Sequence, residues 1–371
     1  MIIGIPKETK VDENRVSMTP EGVEVLAQHG HTVLVEAGAG VGSGFEDAAY
    51  TAHGAEIVAA PPEIFRRAEL ILRVKEPQPA EFDLLRPGQI YFSYLHLAAS
   101  PEVTRVLMER QVVAMAYETI QRADGSLPLL IPMSEIAGQM AVQEGAKYLE
   151  MAQGGDGVLL GGVPGVDPGK VMILGGGKVG LSAAKRAAGL GAKVYVLDIN
   201  LERLRYLNDV LPRNCFTVMS NPANIRQLIT KADVVIGAVL IPGSQTPQLV
   251  SREMVKTMKK GAVLIDVSID QGGCFATSRE TTHAKPTYVI EGVVHYAVSN
   301  MPGAVPKTAT MALTNATLPY VLQLADRGWQ LAAQSSPEIR QGINVAGGLL
   351  TYAGVADALG LAYTPVDNVL G

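Results

Sequence analysis

Cysteine is nearly absent from this chain. Its two residues, Cys215 and Cys274, exclude a disulfide framework and a cysteine-based zinc site, and both read as small semi-polar residues of strands or loops. Aromatic residues make up 5% with a single tryptophan, so stacking platforms for bases are not evident. Positive charge is not in excess: a net charge of -5 and a pI near 5.8 argue against a partner held through many phosphates, and no nucleic acid is expected. Long apolar runs are also missing. The stretch from Val234 to Ile241 stops at Pro242, short of the roughly 18–20 residues a membrane span needs, so no membrane partner is expected. The opening Met1–Glu8 lacks a basic segment followed by an apolar one, which makes the cytoplasm the expected location. Of the six histidines, His29, His31, His53, His283 and His295 show no ligand spacing, and no metal site is expected. Charged residues are only 18%, against about 25% in an average soluble domain, so much of the chain belongs in cores or subunit contacts.

What is present is an alternation of short Val, Ile and Leu runs with helix-like segments, over a length of 371 residues that favours two domains. The first set of expected strands is Ile2–Pro6, Thr32–Glu36, Glu56–Val58, Leu70–Lys75, Gln89–Leu95 and Val112–Tyr117. Most are apolar on both faces, as a covered parallel sheet requires. Helices are expected at Pro20–Gln28, capped by Thr19, and at Pro101–Arg110, capped by Ser100. A glycine-loaded stretch from Gly154 to Gly169 fits neither periodicity and reads as an irregular connector. Beyond it the pattern restarts with Val171–Leu174, Lys193–Asp198, Cys215–Met219, Asp233–Leu240, Ala262–Ser268 and Val293–Val298. After Pro306 the chain turns helical, with Thr308–Ala325 and Pro337–Gly347 expected as helices and no further strands.

In the second set, Val171–Leu174 runs into Gly175-Gly176-Gly177-Lys178-Val179-Gly180, a G-x-G-x-x-G at the start of a helix. Gly175 permits the tight turn, Gly177 lets backbone approach a pyrophosphate, and Gly180 lets the helix lie close to the strand. The helix N–H groups then face the phosphates. The next strand ends in Asp198, 18 residues after Gly180, where a carboxylate accepts the ribose hydroxyls of NAD and repels the 2′-phosphate of NADP. Strand, motif, helix, second strand and terminal acid in order are far more specific than the glycines alone, which can be a plain turn. The earlier Gly38-Ala39-Gly40-Val41-Gly42-Ser43-Gly44 has serine where the third glycine should fall, and reads as a tight surface loop.

Ligands of open parallel sheets bind beyond the carboxyl ends of the strands. Four ionisable residues lie there: Arg15 after the first strand, Lys75 at the end of the fourth, His96 at the end of the fifth, and Asp270 beyond Ala262–Ser268. Each alone can be a surface, structural or turn residue. Together they are complementary: cations for a carboxylate, and groups that move protons.

The chain resembles the alanine dehydrogenase family from end to end. The resemblance rests on Gly4-Ile5-Pro6-Lys7-Glu8 with Glu13-Asn14-Arg15-Val16, Val74-Lys75-Glu76-Pro77, Tyr94-Leu95-His96-Leu97-Ala98 and Pro132-Met133-Ser134-Glu135-Ile136-Ala137-Gly138. It continues in Gly161-Gly162-Val163-Pro164-Gly165-Val166, in 237–243, in Asp270-Gln271-Gly272-Gly273, and from Val294-His295-Tyr296 to Asn300-Met301-Pro302-Gly303-Ala304-Val305-Pro306. It implies an α/β protein of two Rossmann-like domains with mainly parallel sheets, separated by a cleft and linked by long helices. The substrate domain would comprise 1–133 and 307–371, with an NAD-binding domain, 134–306, inserted between them.

By the same resemblance the chain is expected to catalyse NAD-dependent, reversible oxidative deamination of L-alanine to pyruvate and ammonium, as a homohexamer. Arg15 and Lys75 would hold the substrate, with Met133 bordering the pocket, and His96 and Asp270 would be the acid–base pair. Cofactor contacts would fall on Ser134, Lys178, Val179, Asp198, Arg203, Ser220, Val239, Leu240 and Arg279, and on the segments Val267-Ser268-Ile269-Asp270 and Val298-Ser299-Asn300-Met301, besides the three glycines. Ser268 stands where alanine is common and Arg203 where lysine is common; neither touches the four strand-end groups. Competing expectations are the NAD(H)-binding subunit of a proton-pumping transhydrogenase, a saccharopine dehydrogenase-like enzyme, and a non-catalytic NAD sensor. Intact Lys75 and His96 motifs favour the dehydrogenase.

Overall fold

Short apolar runs become the strands of two separate sheets, each with helices packed on it. The structure, a computed structural model, describes residues 1–239 and 246–370. They fall into two compact units, one formed by Met1–Met133 with the chain from Gly303 onward, the other by Ser134–Pro302. The chain leaves the first unit inside the helix Ile131–Tyr148 and re-enters it just before the long helix Pro306–Ser335.

In the first unit, β1 (Ile2–Ile5), β2 (Thr32–Glu36), β3 (Glu56–Val58), β4 (Leu70–Leu72), β5 (Ile90–Ser93) and β6 (Val113–Ala116) are all parallel, in the spatial order β6-β5-β4-β1-β2-β3. Leu34, Ile71, Tyr91 and Ala114 from these strands and Ile64, Phe65 and Leu107 from the covering helices share one core, and Val33, Val35, Leu70 and Leu72, at the alternate positions, are buried as well, which is why the strands read as apolar on both faces. The helix Pro20–Gln28 starts as expected, with the Thr19 hydroxyl accepting from the Gly22 N–H at 3.3 Å. Ser100 precedes Pro101–Glu109 but its side chain caps nothing; its carbonyl instead accepts the Thr104 hydroxyl at 3.0 Å.

The second unit holds β7 (Lys170–Leu174), β8 (Lys193–Asp198), β9 (Cys215–Met219), β10 (Val234–Gly237), β11 (Val263–Asp266), β12 (Thr287–Ile290) and β13 (Val293–Tyr296), in the order β12-β13-β11-β10-β7-β8-β9. All are parallel except β12, which pairs antiparallel with β13. β12 is a strand the sequence reading omitted. It is joined to β13 by Glu291 and Gly292, both at positive φ (54° and 76°), the two-residue turn that matches the twist of a hairpin. Residues 154–169 contain no helix or strand, only a bridge between Val163 and Val166.

The tail corrects a second expectation. Pro337–Gly342 is helical, but β14 (Ile343–Ala346) and β15 (Leu349–Leu350) follow as strands. β14 pairs antiparallel with β6, and β15 folds back on β14 through Gly347-Gly348, both at positive φ. Fully buried Val345 and Leu350 join the first unit's core, so burial outweighed the helical start at Pro337. Pro306–Ser335 carries one break, at Gly328. Among the described residues no helix is long and apolar enough to cross a membrane.

Candidate functional site

Because β1, β4, β5 and β6 are parallel neighbours, the segments leaving their carboxyl ends lie side by side. They carry, in spatial order, Arg15, Lys75, His96 and Glu118. Lys75 and His96 sit three residues beyond the last residue of β4 and of β5.

Arg15 is buried, with 2% of its surface exposed. Its Nε donates to Glu13 Oε1 at 2.6 Å, its Nη2 to Glu13 Oε2, and its Nη1 to Met133 Sδ at 3.2 Å. Burial alone would raise the Glu13 carboxyl, but hydrogen bonds from Arg15 and its charge hold it below the ordinary carboxylate range. The Nε and Nη2 edge therefore serves Glu13, and a fork of that edge onto a second carboxylate would require Glu13 to move. Lys75 is half-buried within the field of Arg15, Glu13, Lys10 and Glu76. Burial and the neighbouring Arg15 push its ammonium below the usual lysine value.

Two ion-pair links tie the segment after β1 to the segment after β4. Arg73, fully buried, donates from Nε to Glu8 Oε1 at 3.1 Å and from Nη1 to Glu81 Oε1 at 2.5 Å, while Glu8 also accepts the Val74 N–H at 2.6 Å. Lys10 Nζ donates to Glu76 Oε1 at 2.5 Å. From the other side, the loop 38–44 supports Asn14. Ser43 is buried, its hydroxyl donates to the Asn14 carbonyl at 2.9 Å, and the Val16 N–H donates to Thr310 Oγ1 at 3.1 Å. This loop is thus partly interior, where a surface loop was expected. His96 is exposed, and its ring lies 6.3 Å from that of Tyr94 at an interplanar angle of 20°.

In the second unit the glycine loop has the form a dinucleotide needs. Gly175 is at φ 99°, and a Cβ on Gly180 would lie 1.9 Å from the Gly175 carbonyl oxygen, so the close helix-to-strand approach excludes any side chain there. A Cβ on Gly177 would meet nothing within 4 Å, which leaves the pyrophosphate position open. No side chain caps the helix Lys178–Gly189, so its first N–H groups, including those of Val179 and Gly180, are available to an anion. Asp198 closes β8; its Oδ2 accepts the Gly176 N–H at 2.8 Å and its Oδ1 the Asn200 N–H at 2.8 Å. Arg203 Nε donates to the Gly176 carbonyl at 2.5 Å and stacks on Tyr206 at 4.8 Å. These residues fit a nicotinamide dinucleotide.

The remaining expected cofactor residues mostly follow the carboxyl ends of this sheet. Ser220 follows β9 and donates its N–H to the Asp198 carbonyl at 2.9 Å. Val239 follows β10, and its carbonyl accepts the Ser268 hydroxyl at 2.7 Å; Leu240 lies outside the described residues. Val267, Ser268 and Ile269 follow β11, with exposed Asp270 in the turn Ile269–Gln271. Val298, Ser299, Asn300 and Met301 follow β13, with Asn300 at φ 53°. Arg279 stacks on Tyr288 at 4.3 Å, and Ser134 lies near the start of Ile131–Tyr148.

Asp266 was not singled out in the sequence. It is buried at the end of β11 and accepts N–H groups of Ser268 (3.1 Å) and Cys274 (3.1 Å) and the Ser278 hydroxyl (2.5 Å), binding together the loop that carries Asp270. Burial raises its carboxyl above the usual range despite those bonds. Cys274 packs against it, and His295 is a buried structural histidine bonded to Thr277 at 2.7 Å. Among the described residues no group of three or more His, Cys, Asp or Glu side chains is arranged to hold a metal ion.

Two family models match the chain: "Alanine dehydrogenase/PNT, N-terminal domain" over residues 4–137 and "Alanine dehydrogenase/PNT, C-terminal domain" over 141–353. Alanine dehydrogenase of Methanococcus maripaludis is 54% identical over 371 residues, covering all of both chains. Alanine dehydrogenase of Bacillus subtilis is 54% identical across all of this chain and 98% of its own. A solved L-alanine dehydrogenase superposes with a TM-score of 0.94 at 50% identity, over 97% of this chain and 99% of that one. A transhydrogenase from Sinorhizobium meliloti shares the fold, with a TM-score of 0.82 at 24% identity over 95% of this chain and 99% of its own.

Proposed function

The chain belongs to the alanine dehydrogenase/PNT family, and from that premise we propose that it catalyses the reversible NAD-dependent oxidative deamination of L-alanine to pyruvate and ammonium. The observation that carries this reading is the row of Arg15, Lys75 and His96 at adjacent strand ends of one sheet, in a chain whose other sheet carries a complete dinucleotide loop. When bound, NAD supplies the hydride acceptor. The charge of Arg15 and the Lys75 ammonium hold the substrate carboxylate, and in the reverse direction Lys75 also polarises the pyruvate carbonyl oxygen. Met133, against Arg15, borders the methyl group. His96 takes the proton from the substrate ammonium, and Asp270 activates the water that adds to iminopyruvate and releases ammonium. Asp198 accepts the ribose hydroxyls, and Lys178 adds a positive charge beside the pyrophosphate.

The decisive assay is NADH formation on mixing the protein with NAD and L-alanine, compared with serine, glycine and lysine. Turnover with L-alanine is expected, and NADH binding without turnover on any of them would sink the reading in favour of a sensor. Lys75→Ala, His96→Ala and Asp270→Asn should each lower kcat/KM at least about 100-fold; near-normal turnover in all three would refute the assigned roles. Family membership also supports a cytoplasmic homohexamer, which sedimentation velocity would register as six times the 39.2 kDa chain.

A further inference from the structure

His96 sits in the left-handed region, at φ 49° and ψ 41°, which a residue with a side chain seldom occupies unless its surroundings impose it. Two N–H groups at this bend meet the carboxylate of Glu118. Glu118 Oε1 accepts the His96 N–H at 2.6 Å and the Leu95 N–H at 3.1 Å, and its Oε2 lies 3.3 Å from the Leu95 nitrogen as a second acceptor. The register explains the meeting. Ser93 of β5 pairs with Ala116 of β6, so Leu95 and Glu118, each two residues further on, arrive together.

The turn that carries Glu118, Tyr117–Thr119, is itself fixed. Thr119 Oγ1 donates to the Ala116 carbonyl at 3.2 Å and accepts from Asn344 Nδ2 at 2.7 Å. On the other side of the bend, the His96 carbonyl accepts the Ala99 N–H at 3.0 Å. The Tyr94 ring that lies parallel to the imidazole is anchored by its hydroxyl, which donates to the Leu129 carbonyl at 2.5 Å. Two successive N–H groups directed at one carboxylate oxygen form a clamp on the backbone that presents the imidazole.

We propose that Glu118 is a positioning residue for His96, its carboxylate holding the left-handed bend that places the imidazole beyond the end of β5. The proposal rests on the acid–base reading of His96 given above. Its test pairs two measurements on the full-length protein: amide exchange of residues 95–99, and kcat, KM for L-alanine and the Kd of NADH. Glu118→Ala should lose protection at the Leu95 and His96 amides and lower kcat at least tenfold, with KM for L-alanine within threefold and NADH affinity within twofold of the parent. Glu118→Gln keeps an acceptor oxygen without its charge, so it should fall between the two in both exchange and kcat. It also covers the case in which the alanine variant does not fold. Undiminished protection in Glu118→Ala, or in Glu118→Gln if only that variant folds, overturns the clamp. Lost protection with unchanged kcat overturns the positioning role, whereas near-normal turnover in His96→Ala overturns the acid–base reading of His96 on which it rests, so the two failures are distinct.

Discussion

Glu13 and Lys75 divide the electrostatic work around Arg15. Glu13 offsets one of the two positive charges and fixes the guanidinium, and the second, on Lys75, is weakened by burial and by Arg15. The sign of that shift makes a prediction. A lysine with a depressed pKa loses its proton at a lower pH than an ordinary one, so the KM for pyruvate should climb as pH rises from about 7 towards 10. Lys75→Arg keeps its charge over that range and should abolish the climb, whatever it does to the basal value; a flat KM in the parent enzyme would refute this. Asp198→Ala should relax the preference for NAD over NADP by about tenfold or more, read as the ratio of kcat/KM for the two cofactors. Arg15, Lys75 and His96 could be picked out as candidates because the ends of parallel strands are where ligands bind. Glu13 and Glu118 were not, since one reads as part of a mixed-charge loop and the other acts on backbone N–H groups, which leave no pattern in the sequence.

Packing at the level of strands and helices explains which segments could be read and which could not. Parallel strands covered on both faces announce themselves as unbroken apolar runs, as at Val33-Leu34-Val35 and Val234-Val235-Ile236. The strands that went unread, β12, β14 and β15, are short members of antiparallel pairs. Their turns were nevertheless visible: Glu-Gly lies between TYVI and VVHY, and Gly-Gly between INVA and LL. The glycine loop offers the sharpest test of packing. A methyl group on Gly180 would collide with the Gly175 carbonyl and push the helix Lys178–Gly189 off β7. Gly180→Ala should therefore weaken NADH binding at least about tenfold and cost about 1–3 kcal/mol of stability, measured by fluorescence titration and urea unfolding; parental values for both would show that the close approach is not needed.

For the molecule as a whole, the largest fact is that one unit is interrupted by the other. β6, entirely buried, depends for its partner on one side on β14, which comes from the part of the chain that follows the interruption. A chain ended at Ser335 should therefore expose the edge of β6 and aggregate, whereas one ended after Thr364, which keeps β14 and β15, should stay soluble; comparing the two in a solubility and calorimetry series checks this. The same arrangement sets an order of events during synthesis. Among the described residues, the inserted unit has all its strands once Tyr296 has left the ribosome, while the sheet begun at Ile2 still lacks β14 and β15, the last of which ends at Leu350. Since domains tend to fold as their residues become available, the nucleotide-binding half can mature first, leaving the earlier-made half open at its β6 edge, a natural place for a chaperone to hold the nascent chain.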